Sequence, residues 1–488
     1  MGVKRYTAEA DNTITNAYKP NLRSRATGSN MGLSDSVEVF YIYGQQDAGS
    51  AELSRVLIQF PMTQITTDRT NGVLPASGNV SFHLRMFNAR HPYTLPREYN
   101  MIGSTVSRAW NEGTGLDMED YSNSGSSNWT TAASASSGVT AWTTEGGDYH
   151  AEPRFTASFE DGTEDIEIDV SDAVERWLAG SRDNYGFGVR MEDETALSSS
   201  YTKKFFARGT EFFFRRPLIE ARWDSATRDD RGNFYFSSSL ATSEDNLNTV
   251  YLYNHVRGRL RDIPDIGTGS IHVSIYSGSA DNSEPTGSRI VKVVDGTHVI
   301  TDNPYVVTGG HVSTGIYSAS FALTAASNPL TTAFDVWHSG TTQFATSSFS
   351  PKKLESLAYN PYSRYVINIT NLRDRYYRNE TAQFRLYSRN KDWQPTIYVK
   401  ASAVPENNLV ESGSYKVVRI VDNLDVIPFG TGSDNHTQLS YDVSGSYFDL
   451  DIEMLEAGYS YGIKFAFYDD GAQSWNEYPD IFKFRVEE

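Results

Sequence analysis

The chain has 488 residues, 43 Lys and Arg against 61 Asp and Glu, a formal charge of −18 and a pI near 5.0. Cysteine is absent, which excludes a disulfide framework, a thiolate metal centre and a thiol nucleophile. Aromatic residues make up 13% of the chain, supplying the burial that disordered sequences lack, and the acidic balance speaks against a nucleic-acid partner, whose phosphates require a basic surface.

Read from the N-terminus, Met1-Gly2-Val3-Lys4-Arg5-Tyr6 has no apolar run behind it, so no signal peptide is expected, and Tyr6 breaks a myristoylation pattern. No apolar stretch approaches the ~18 residues of a membrane span. Synthesis in a cytoplasm and no membrane partner are therefore expected. The dominant hydrophobic period is two, at Phe82–Phe87, Asp165–Val170, Ile271–Tyr276, Tyr365–Ile369 and Thr396–Lys400. Such alternation turns one face of a strand to a core and the other to water, as in antiparallel sandwiches. One segment reads as a short helix, Val170–Gly180, with Ser171 as N-cap, Val174, Trp177 and Leu178 on one face, and Gly180 as terminator. The fold class is all-β: tandem antiparallel β-sandwich domains, jelly-roll or immunoglobulin-like, with one short helix in the first.

At roughly 150 residues per domain the length suits three domains. A charged stretch at 222–231 and the Pro405–Asn408 region place them at 1–224, 225–402 and 403–488, the second being another β-sandwich. Residues 111–147, rich in Ser, Thr, Gly and Asn but carrying Trp129 and Trp142, read as an ordered contact loop inserted in the first domain. Residues 401–488 hold nine Asp and seven Glu against three Lys and two Arg, a net −11, so the third domain is acidic.

The nine histidines show no HxH, HxxxH or HExxH spacing, and nucleophile-elbow, phosphate-loop and dinucleotide motifs are missing. Asp165, Glu167 and Asp169 share a strand face, as do Asp449, Asp451 and Glu453. Their apolar neighbours take the core, so both sets read as solvated faces more readily than as glycosidase pairs. Glu112, Asp117, Glu119, Asp120 and Asp469-Asp470-Gly471 offer turn oxygens, yet none matches an EF-hand loop. No enzyme activity, cofactor or metal is expected. Trp129, Trp142 and Trp475 are the candidate contact residues, suited to protein interfaces or to stacking on sugar rings.

Ala10-Asp11-Asn12-Thr13-Ile14, Asn30-Met31-Gly32, Arg55–Phe60, Trp110-Asn111-Glu112, Ile168–Gly180 and Asn184-Tyr185-Gly186-Phe187 follow one another in an order that resembles DNRLRE-type β-sandwich modules over about 220 residues. The expanded loop after Trp110 departs from that pattern. Leu455–Tyr468, closing with Phe482-Lys483-Phe484-Arg485-Val486, resembles immunoglobulin-like modules in structural proteins of tailed bacteriophages. Together the resemblances imply a non-enzymatic virion component of the tail, neck, baseplate or capsid surface, self-associating in a symmetric ring and contacting other virion proteins. The competing expectation is a carbohydrate- or receptor-binding adhesion protein that engages a host surface glycan.

Overall fold

The computed structural model describes residues 2–43, 50–91, 97–116, 126–135, 138–195, 200–278, 293–294, 306–323, 330–353, 364–393, 397, 407–469 and 471–488. The chain is all-β and divides into two compact units, residues 2–224 and 225–488.

In the first unit a four-stranded sheet, in the order Val3–Thr7, Leu218–Arg222, Ser81–Met86, Ile166–Asp169, faces a seven-stranded one. The larger sheet is centred on Glu52–Gln59 and Phe187–Met191. Phe82, Leu84 and Met86 alternate inward from one sheet and Val56, Ile58 and Phe187 come from the other, forming a continuous core. This alternation is the reason the strands were legible in sequence. The helix Ser171–Leu178 buries Ala173, Val174 and Trp177, and the Trp177 ring lies 4.9 Å from that of Phe187. Its N-terminus differs from the expectation. Ser171 is the first helical residue, and its hydroxyl donates to Asp169 while accepting from the Phe82 N–H. Gly180, at φ +66°, ends the helix. There is also a second helix, Met62–Thr70, so the expectation of one was short. Only Ile65 of that segment is buried, and Asp68 and Arg69 hold it through Tyr6, Lys4 and Glu175.

The second unit departs from the expected division. Tyr365–Ile369 and Thr381–Asn390 pair in the order Tyr365–Ile369, Thr381–Asn390, Gly445–Asp451, Ser440–Asp442, while Arg375–Tyr377 joins Phe482–Glu487, Ser460–Asp469, Gly413–Arg419 and Leu424–Ile427. With Arg375–Tyr377 counted as a second half of strand A and Leu424–Ile427 as an extra strand after C, the two sheets are A-B-E-D and A′-G-F-C-C′, the order of an immunoglobulin-type sandwich. Tyr461, near the start of the sixth strand, donates to the Glu456 carbonyl at 2.7 Å, the tyrosine corner of such sandwiches. The last sandwich therefore begins at Tyr365, and a boundary at 402/403 would cut through it. Its arginine-rich opening strands change its charge: residues 365–488 hold nineteen acids against twelve bases, a net −7 in place of −11.

The second sandwich was expected to run from 225 to 402, and its first part, 225 to 353, has a different form. Among the described residues it is a single seven-stranded sheet with a small hairpin. Phe234, Phe236 and Ile263 close its apolar face over Trp337, Phe321 and Phe349. The charged stretch expected to mark a domain boundary is built into the structure. Arg231 forms a bidentate pair with fully buried Asp335, which also accepts from the Trp337 indole. Most of the expected strand at 396–400 lies outside the described residues.

Candidate functional site

The three tryptophans proposed as contacts have different fates. Trp129 and Trp142 are 4% and 6% exposed and pack with Trp110, Ile14, Leu57, Val106 and Ala132 in a satellite core beside the main one. The Trp142 indole donates to the Asn128 carbonyl at 2.8 Å and that of Trp110 to the Tyr185 carbonyl at 2.9 Å. Neither Trp129 nor Trp142 can offer a ring face to a ligand, so the expectation is corrected: the insertion needs a core of its own, and these rings supply it. Trp475 is half-buried on the short strand Ser474–Glu477, edge-on to Tyr468 at 5.6 Å, and Tyr468 is 37% exposed. It remains the one available aromatic of the three.

The insertion is fixed to its sandwich by residues that carried the sequence resemblance together with Arg208, Glu194 and Ser127, which did not. The Arg208 guanidinium makes a bidentate pair with Glu112 at 2.5 Å, and Glu112 also accepts from the Asp11 backbone N–H at 2.8 Å. Asp11 accepts from the Arg208 N–H at 2.6 Å through one oxygen, while its other oxygen has no hydrogen bond among the described residues. Asn12 and Asn30 donate to the Ser127 carbonyl, and Asn30 also to that of Glu112. Arg55 reaches from the sandwich to Glu194 and the Gly146 carbonyl, over the Trp129 ring. Gly186, at φ +78°, lies so close to the Ile58 carbonyl that a Cβ would overlap it. Asn184 orients this turn by accepting from the Gly186 N–H and donating to the Phe60 carbonyl.

The Arg208 guanidinium is taken up by Glu112, which leaves Asp11 a backbone N–H of Arg208 and no ion pair of its own among the described residues. Burial pushes the Asp11 carboxyl up to about 7, with the Arg208 N–H pulling it down and the Glu112 charge adding to the rise. On the four-stranded sheet the balance is opposite. Fully buried Glu220 sits among Arg5, Arg85 and Arg222, whose charges overcome its desolvation and hold its carboxyl well below the usual range. Exposed Glu167 joins the same network through Arg85 and Arg222. Lys203 is buried with its ammonium donating to the carbonyls of Gly162 and Glu164 and to Asn88, and burial pulls it down to about 8. Of the carboxylates singled out in sequence, Asp165 and Asp169 are exposed and accept from the Asn88 N–H and from Ser171 respectively, Glu112 and Glu167 are ion-paired, and Asp451 accepts from the Glu453 N–H. Asp469 caps the Gly471 and Ala472 N–H groups. Asp117, Glu119, Asp120 and Asp470 lie outside the described residues. Among the described residues no three His, Asp or Glu are grouped to hold a metal, and no helix is long and apolar enough to cross a membrane.

Sequence reasoning missed one surface feature. The connection between Tyr201–Phe206 and Leu218–Arg222 carries Phe212-Phe213-Phe214-Arg215-Arg216, where a turn ordinarily carries small polar residues. Phe213–Arg215 form one turn of 3-10 helix, and Phe212 stands 53% exposed, edge-on to Phe206 at 5.5 Å. Arg216 lies 6.0 Å from the Phe213 ring and Arg215 5.8 Å from that of Phe87. Phenylalanine and arginine are both enriched in protein interfaces relative to the rest of the surface. The run Glu211–Arg216, with its three consecutive phenylalanines, was the available signal.

Within the last sandwich a groove of about 810 Å³ is lined by Tyr365–Ile367, Tyr478, the bases Arg364 and Lys391 and the acids Asp392, Asp469, Glu477 and Asp480. Trp475 does not line it. A dish of about 520 Å³ separates the two helices of the first unit and is floored by the Arg69–Glu175 pair.

No protein-family model matches this chain, and no curated protein is similar to it. Among solved structures, DIP-gamma IG1+IG2 is 11% identical at a TM-score of 0.12, covering 50% of this chain and 90% of that one. A Salmonella alpha-2-macroglobulin reacted with methylamine is 9% identical at 0.14, and a trypsin-activated one from Escherichia coli 8% identical at 0.16. These cover 93% and 94% of this chain, which spans 26% and 29% of theirs. Likeness at this level carries no argument about function.

Proposed function

We propose that the chain is a non-catalytic structural component of a tailed-phage particle, a tail, neck, baseplate or capsid-surface protein that associates with copies of itself and with neighbouring virion proteins. The observation that carries this reading is the exposed Phe212 patch with its arginine flank, on a unit whose motif carboxylates and loop tryptophans are consumed in holding its own shape. A scaffold so stiffened presents a preformed surface, which lowers the ordering cost of association. The flanking arginines suit the acid-rich surface of a second copy of this −18 chain. Light scattering on the purified chain is expected to show a concentration-dependent oligomer that Phe212→Asp reduces to monomer. Mass spectrometry of purified particles is expected to find the chain, and its absence from them would overturn the virion assignment.

The second reading, binding of a host-surface glycan, rests on the half-exposed Trp475–Tyr468 pair. Calorimetric titration with surface polysaccharide discriminates: saturable binding lost in Trp475→Ala would favour it over the structural reading.

A further inference from the structure

The segment that opens the second unit is laid along the edge strand Ser440–Asp442 of the last sandwich. Thr227 N–H donates to Ser440 Oγ at 3.0 Å, Tyr441 N–H to the Thr227 carbonyl at 2.9 Å, and Asp229 N–H to the Tyr441 carbonyl at 3.0 Å. Arg228 donates to Gln438 at 2.8 Å and the Tyr441 hydroxyl to Asp230 at 2.8 Å. Behind these bonds lies a cavity of about 40 Å³, lined by Thr227, Tyr415, His436, Ser440, Tyr447 and Asp449. Most of its lining residues carry a hydroxyl, amide, imidazole or carboxylate group, and its surface is mostly polar.

One of those groups has an account that does not close. Tyr415 is fully buried, its ring stacked on Phe448 at 4.0 Å, yet among the described residues its hydroxyl makes no hydrogen bond. Burial and the Asp449 charge keep the phenol protonated, so it has a proton to donate. A buried hydroxyl left unsatisfied is costly, and a polar cavity of this size has room for one to about three waters.

We propose that this cavity is an internal hydration site, in which ordered water accepts from the Tyr415 hydroxyl and bridges it to the groups lining the opposite wall, joining the segment 225–228 to the sandwich by water-mediated as well as direct bonds. Water suits the site better than an ion because Tyr415 must donate, and a bound cation accepts nothing. Two measurements on the full chain test it. A high-resolution crystal structure is expected to show a solvent peak within hydrogen-bond distance of Tyr415 Oη and of a second lining atom. After a rubidium soak that position is expected to give no anomalous signal; such a signal, or an empty cavity, overturns the proposal. Tyr415→Phe gives an independent sign test by denaturant titration. If water completes the hydroxyl, removing it lowers the folded-to-unfolded ratio of this sandwich about three- to tenfold. If the hydroxyl is orphaned in a dry cavity, the same substitution raises the ratio, and the proposal fails.

Discussion

The clamp around Asp11 makes a quantitative prediction. Asp11 is fully buried and its carboxyl is pushed up to about 7 from an ordinary 3.8. The folded state therefore holds this proton more tightly than the unfolded chain throughout that window. Stability from the group is fully present below about pH 4 and is lost as the pH rises through 7. A difference of about three pKa units corresponds to a ceiling of about 4 kcal/mol. Asp11→Asn replaces the carboxylate with a neutral group that still accepts from the Arg208 N–H. The variant should match the wild type near pH 3.5 and exceed it by about 1–3 kcal/mol at pH 8, the lower end allowing for a buried amide N–H that inherits the unbonded position. Because two units need not unfold together, the readout should be local. Hydrogen exchange along a urea titration, followed in peptides from residues 10–15, 111–116 and 206–210, reports the clamp itself. A difference between the proteins that does not change with pH, or an Asn variant weaker at pH 8, would refute the reasoning that desolvation dominates at Asp11.

Glu220→Gln removes the anion from among three arginines and should cost about 3–5 kcal/mol in the first unit, measured by denaturant titration at pH 7. Because that carboxyl is held below the usual range, its contribution is present at neutral pH and is lost as acid protonates it, so the penalty of the variant should shrink at low pH. For Lys203, whose folded-state value of about 8 is below the unfolded one, stability should rise with pH between about 8 and 10.5, and Lys203→Met should abolish that rise in an alkaline stability profile. Trp129→Ala should cost about 3–5 kcal/mol by opening the satellite core, whereas Trp475→Ala on the half-exposed hairpin should cost less than about 1 kcal/mol, both read from thermal or chemical unfolding.

Strand identity was legible wherever one face is wet, because Phe82, Leu84 and Met86 alternate with His83 and Arg85 and no other local structure satisfies that pattern. The helix at Ser171–Leu178 was legible through Val174 and Trp177, while Met62–Thr70 was not, since a single buried residue, Ile65, leaves no periodicity to read. Strand partnership was illegible for a different reason. Thr381–Asn390 finds Gly445–Asp451 across more than fifty residues, and nothing local records that pairing. The tryptophans at 129 and 142 stand among Ser, Thr and Gly just as exposed aromatics do. Only knowing that Glu112 returns to Asp11 and Arg208 reveals that the insertion folds back on itself. The Phe212 patch was in plain view as a run of three phenylalanines, but a buried strand begins with the same letters, and only its position in a turn between two strands sets it apart.

The final strand of the last sandwich is interrupted: Ser474–Glu477 and Phe482–Glu487 both pair with Ser460–Asp469, and the Tyr478 N–H still donates to the Phe465 carbonyl, with residues 479–481 between them outside the ladder. The sheet consequently offers on that side two short margins, the four residues 474–477 and the three of Arg375–Tyr377, each bearing charge. A foreign strand would find too few consecutive free amides there to extend the sheet, and Arg375 and Glu477 would have to shed solvent to admit it. Such an edge protects against fibrous aggregation while leaving the side-chain faces free to associate.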